Sequence, residues 1–100
     1  RDRGHCLENI VYFELLRRGF DVAIGKIDNL EVDFIATSAN EKMYIQVTES
    51  MKNELVRERE LKSLQKIHNN YKKMVITLDK ALDDEYDGIQ SIDVIEWLLK

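Results

Sequence analysis

One segment governs what this chain can become. Residues 53 to 68, "NELVRERELKSLQKIH", place Val56, Leu61, Leu64 and Ile67 on one stripe among charged residues, which predicts an amphipathic helix. Glu58 and Lys62 have the spacing of a favourable pair on its surface. The segment stands between two strand-like runs. "KMYIQVT", 42 to 48, alternates, and "KMVITL", 73 to 78, is nearly continuous apolar sequence suited to a central buried strand. A helix between two strands allows a parallel crossover within one sheet, normally right-handed. The chain is therefore expected to be α/β.

The remaining segments extend that sheet. "HCLENIVYFELLRR", 5 to 18, predicts a helix that is apolar on more than one side: Leu7, Ile10 and Val11 on one, Phe13 and Leu16 on another. Such a helix is expected to be well buried. Glu14, between Ile10 and Val11 in angle, is expected to be partly buried and bridged to an arginine. Arg17 and Arg18 suit the C-terminal end, and Gly19 the left-handed position that closes it. "FDVAIG", 20 to 25, and "EVDFIAT", 31 to 37, predict two more strands, joined through "KIDNL", with "SANE" turning into the third. These successive hairpins predict an antiparallel meander. "DKALDDEYDG" is expected to be an acidic loop, "IQSI" a short edge strand, and Asp93 the cap of a last helix, "VIEWLLK". Trp97 is expected to anchor a core or an interface. The expected order is αβββαβ, then a short strand and a helix, around a mixed four- to five-stranded sheet.

Composition narrows the class. One hundred residues suffice for one compact domain, and 44% apolar residues allow a normal core. No run approaches the roughly 18 apolar residues of a membrane span. The start, "RDRGHCLEN", has no signal-peptide pattern and no initiator methionine, so a piece of a longer protein is expected. The lone Cys6 makes no internal disulfide, which fits a reducing, cytoplasmic setting, and it is expected to be a small buried apolar residue. Without a second cysteine or a histidine pair at ligand spacing, structural zinc is disfavoured, and His5 and His68 are expected at the surface. The glycines are too scattered for a phosphate-binding loop. The net charge of −4 is a poor basis for a dedicated nucleic-acid binder. Yet residues 52 to 73 hold seven Lys or Arg against three Glu, and residues 79 to 96 hold seven acids against one Lys. Arg57, Arg59 and Lys62 are the candidate nucleic-acid contacts, although a solvated helix face is the commoner reading of such a stretch.

The chemistry concentrates between residues 31 and 50. Side chains alternate across a strand, so Glu31, Asp33 and Ile35 should share one face, and Tyr44, Gln46 and Thr48 a face of the next strand. Val32, Phe34, Met43, Ile45 and Val47 should take the opposite faces. Pairing through "SANE" would bring Asp33 near Gln46, with Glu8 within reach if the first helix packs there. Carboxylates converging on a partly buried face are costly unless paired or metal-bound. Few oxygen ligands suit Mg²⁺, which keeps several waters and can activate one of them.

This pattern resembles the PD-(D/E)xK, or restriction-endonuclease-like, nuclease superfamily. Glu8 in "LENIVYFELLRRG" looks like its helix glutamate, Asp33 in "EVDF" like its strand aspartate, and Gln46 in "YIQVT" like its glutamate or glutamine. A narrower resemblance covers almost the whole chain. "LENIVYFELLRRGFDVAIGK", "EVDFIA", "YIQVTESM" and "DGIQSIDVIEWLL" look like a C-terminal domain of uncharacterised function on bacterial and archaeal AAA+-type ATPases. The resemblance implies residues 1 to 100 as one nuclease-like domain, an N-terminal ATPase domain as partner, and Mg²⁺ on Asp33, Gln46 and Glu8. It also marks a departure, because Thr48 stands where the superfamily has its catalytic lysine. Lys26, Lys52 and Lys62 are possible substitutes, and Glu31 a further acid at the strand's edge. Three functions remain open: a degenerate accessory domain binding nucleic acid or protein, an active Mg²⁺-dependent DNA endonuclease or exonuclease, and a protein-interaction scaffold that binds no nucleic acid. Asp33, Gln46 and Thr48 as a plain buried hydrogen-bond set is the bland alternative.

Overall fold

The computed structural model describes residues 3–27, 29–80 and 84–100. Its elements are α1 (Arg3–Arg17), β1 (Asp21–Ile27), β2 (Leu30–Thr37), β3 (Lys42–Val47), α2 (Glu54–Gln65), β4 (Lys72–Thr77), β5 (Asp84–Tyr86), β6 (Ile89–Asp93) and α3 (Val94–Leu98). One mixed sheet of six strands runs in the order β1-β2-β3-β4-β6-β5. β1, β2 and β3 form the expected antiparallel meander. β3 and β4 are parallel, joined through α2, and β4 and β6 are parallel in turn.

Local chemistry explains the element ends. Beyond α1, Phe20 N–H donates to Leu15 O at 3.1 Å and Gly19 N–H to Leu16 O at 3.0 Å, with Gly19 at φ 90°. That left-handed glycine closes the helix as its position predicts, and Phe20 and Leu15 pack together in the core. Asn53 caps α2: its side chain accepts a hydrogen bond from Val56 N–H at 3.1 Å. Ser38 Oγ accepts from the backbone N–H groups of Asn40 and Glu41 in the β2–β3 turn. The β1–β2 turn holds Asn29 at φ 70°, and Asp28 of the expected turn lies outside the described residues.

Two core clusters flank the sheet. On one side Leu7, Val11 and Leu15 of α1 and Trp97 of α3 pack on Phe34, Ile45 and Ile76. On the other, Leu61 and Leu64 of α2 pack with Val32, Tyr44 and Val75. Glu14 is pinned by both Arg17 and Arg18, as expected, and Arg18 lies over the Trp97 ring at 4.6 Å. His5 and His68 are exposed.

Several expectations are corrected. α1 is not buried all round, because a helix on one layer of sheet has a single inner face: Phe13 is 64% exposed, with Ile10 and Leu16 also exposed. Cys6 is exposed on the same helix. The sheet has six strands, not four or five, because the acidic segment supplies β5, with 81–83 outside the described residues. Asp87 at φ 52° and Gly88 at φ 84° form the two-residue turn into β6. β6 is consequently interior, between β4 and β5, and not an edge. Asp93 occupies the N-cap position of α3 but makes no side-chain capping bond. Glu58 and Lys62 form no ion pair. Val32 faces α2, not the side that Phe34 faces. The cause lies in the β1–β2 register: Ala23 pairs with Ile35 but Gly25 with Val32, so two steps of β1 oppose three of β2.

A candidate site at a fork in the sheet

The β2–β3 ladder runs from Thr37 opposite Lys42 to Phe34 opposite Ile45 and stops there. Side chains make the connection that would follow. Gln46 Oε1 accepts from Asp33 N–H at 2.7 Å, and Asp33 Oδ2 accepts from Val47 N–H at 2.8 Å. Beyond this point β3 keeps its other neighbour: Thr48 N–H donates to Ile76 O at 3.1 Å, and Leu78 N–H to Glu49 O at 2.9 Å. The sheet thus forks between β2 and β3, with Asp33 and Gln46 spanning the fork. The irregular step in β2 falls here, freeing Asp33 N–H from the ladder.

The fork gathers acids from both layers. Gln46 Nε2 donates to Glu60 Oε1 of α2 at 3.4 Å. Burial pushes the Asp33 carboxyl up, the Val47 N–H bond pulls it down, and Glu31 adds repulsion. Burial also raises Glu60, with Asp33 and Glu8 repelling it and Arg59 opposing them. Glu8 is raised by burial and then by Asp33, with His5 opposing. The three carboxylates therefore share one field, in which Asp33 repels both Glu8 and Glu60.

Glu60 is the residue that sequence reasoning missed. A signal was there: Glu60 lies four residues from both Val56 and Leu64, on the buried side of α2. An acid within an apolar stripe marks either a partner or a site.

The cations divide among different surfaces. Thr48 lines a concavity of about 630 Å³ with Lys52, Arg59 and Glu60. Lys26 and Lys62 line another of about 300 Å³, which includes Glu31. Arg57 is spent on structure, donating to Met51 O at 3.1 Å. Arg59 lies 3.6 Å from Glu60. Of the three candidate contacts, Lys62 lines one concavity and Arg59 the other.

Part of the donor set is already engaged by hydrogen bonds. One Asp33 oxygen holds Val47 N–H and the Gln46 oxygen holds Asp33 N–H. Among the described residues, no three of His, Cys, Asp or Glu are grouped to hold a metal ion. These oxygens fit a heavily hydrated Mg²⁺ bound through one or two carboxylates better than an ion ligated mainly by protein.

No family model matches the chain. It is 46% identical over 94 residues to an uncharacterised protein of Haemophilus influenzae, covering 94% of this chain and 23% of that protein. It is 35% identical over 98 residues to an uncharacterised protein of Methanocaldococcus jannaschii, covering 94% of this chain and 22% of that one. The chain thus spans under a quarter of the length of either relative. No solved structure matches it. Among the described residues, no helix is long and apolar enough to cross a membrane.

Proposed function

We propose that this is a degenerate restriction-endonuclease-like domain that binds nucleic acid as an accessory unit of a longer AAA+-type ATPase. The observation that carries the reading is the use made of the motif residues. Asp33 and Gln46 are the residues that the nuclease resemblance names as its motif, and their polar atoms hold the fork together. Thr48 stands at the lysine position and carries no charge to balance a phosphate or orient water. The sheet order supports the fold assignment: an antiparallel β1–β2–β3 meander, then a parallel step to β4 through a helix. The ATPase setting rests on the sequence resemblance, and both relatives carry the matching region within much longer chains.

A second reading, an active Mg²⁺-dependent nuclease, is favoured by one feature. Lys52 and Arg59 line the same concavity as Thr48 and Glu60, so a cation from another element stands beside the lysine position. Titrating Mg²⁺ and Mn²⁺ while following backbone amide NMR shifts, beside a single-turnover cleavage assay, separates the two. The degenerate reading expects no metal-dependent cutting of single-stranded or duplex DNA. Cutting abolished by Asp33→Ala would establish the nuclease instead.

A further inference from the structure

We infer that the concavity between the β1–β2 hairpin and the C-terminal end of α2 is a phosphate-binding site, which holds the backbone of a nucleic-acid strand beside the fork. The inference rests on the nucleic-acid-binding part of the reading above. The concavity measures about 300 Å³ and is lined by Lys26, Asn29, Glu31, Lys62, Ser63 and Lys66. Among the described residues, three lysines and one carboxylate thus line the concavity, in a chain whose net charge is −4. Among the described residues, none of the three lysines forms an ion pair. Glu31 lies opposite Lys26 in the ladder without bridging to it.

Helix electrostatics explain only part of this. Lys62 and Lys66 stand at the C-terminal end of α2, where the helix dipole favours cations. Lys26 comes from a different element, so the dipole does not account for its place beside the other two. An anion in the concavity would be attracted by all three. Lysine supplies point charges suited to phosphate, while Asn29 and Ser63 add neutral donors. The location links this surface to the fork. Glu31 lines the concavity, and its charge acts on Asp33 two residues along the strand. A phosphate held by the lysines would therefore lie beside the strand that carries Asp33.

The test uses fluorescently labelled single-stranded and duplex DNA and measures anisotropy from about 50 to 200 mM salt. The variant K26Q/K62Q/K66Q removes the three charges from exposed positions. The control K72Q/K80Q/K100Q removes the same charge from exposed positions elsewhere. Circular dichroism checks that both remain folded. The site variant should weaken binding roughly tenfold and reduce the salt slope by about one per lost phosphate contact, with the control close to wild type. If wild type binds DNA and the two variants behave alike, the site is wrong and the nucleic-acid reading survives. If wild type does not bind even at the lowest salt, both fail.

Discussion

Asp33, Glu8 and Glu60 pull against Glu14 in their effect on stability. A carboxyl whose pKa is raised by folding binds its proton more tightly in the folded state. Its ionisation opposes folding, fully so above the raised value, and the penalty disappears as pH falls into the usual carboxylate range. Glu14 acts in the other direction. Hydrogen bonds from Arg17 and Arg18 lower its pKa to about 2, so its contribution is present above the usual range and is lost as pH falls toward about 2. Stability should therefore rise on mild acidification from neutral pH and decline again in stronger acid. Glu60→Gln should stabilise the protein at neutral pH, because it removes one repelling charge while keeping an acceptor for Gln46 Nε2. Urea denaturation of wild type and variant across pH provides the check. A steady loss of wild-type stability from pH 7 downward, or identical pH slopes for the two proteins, would refute the shared field. The field was half legible in the sequence. Strand alternation pointed to Asp33 and Gln46 together, but Glu60 was hidden in a helix whose charges read as solvated. Which face of that helix meets the sheet is a tertiary fact.

Elements with strong periodicity were legible and weak ones were not. The α2 stripe, the apolar β4 run and the Gly19 stop all correspond to observed features. β5 did not announce itself, because "DEY" is a three-residue edge strand with only Tyr86 to pack on the core. Its only signal was the Asp87-Gly88 pair, a hairpin turn chemistry that the surrounding acids obscured. The irregular step in β2 was equally invisible, since alternation assumes an unbroken ladder and one extra residue turns Val32 to the other face. α2 matters most for the site, because it carries Arg59, Glu60 and Lys62 and ends at the C-cap Lys66. Its start depends on Asn53. Replacing this cap by alanine should cost about 1 kcal/mol, while Asn53→Gly should cost only a few tenths. Chemical denaturation of the two variants measures the difference. Equal losses in both would mean that the Val56 N–H bond contributes nothing beyond backbone conformation.

At the scale of the molecule, one sheet separates two cores that share no helix. The radius of gyration of 12.6 Å matches the roughly 13 Å expected of a 100-residue domain, so the two cores belong to one compact body. Leu15 of α1 and Leu64 of α2 are both fully buried, on opposite faces. Replacing either by alanine should cost about 2–5 kcal/mol through lost transfer energy and the cavity left behind. A domain of this size generally unfolds in one transition, so each variant should shift the whole curve without splitting it. The fork makes that coupling observable at the site. Asp33 and Gln46 lie in the shared sheet, whereas Glu8 comes from the α1 layer and Glu60 from the α2 layer. Loosening either layer should therefore perturb the amide signals of Asp33 and Val47, whose N–H groups are held by side chains rather than by the ladder. Hydrogen exchange at these two amides, in Leu15→Ala and in Leu64→Ala, provides the measurement. Faster exchange in both variants means that the two layers jointly hold the fork. Acceleration in only one would assign its support to that layer and leave the other acid a bystander.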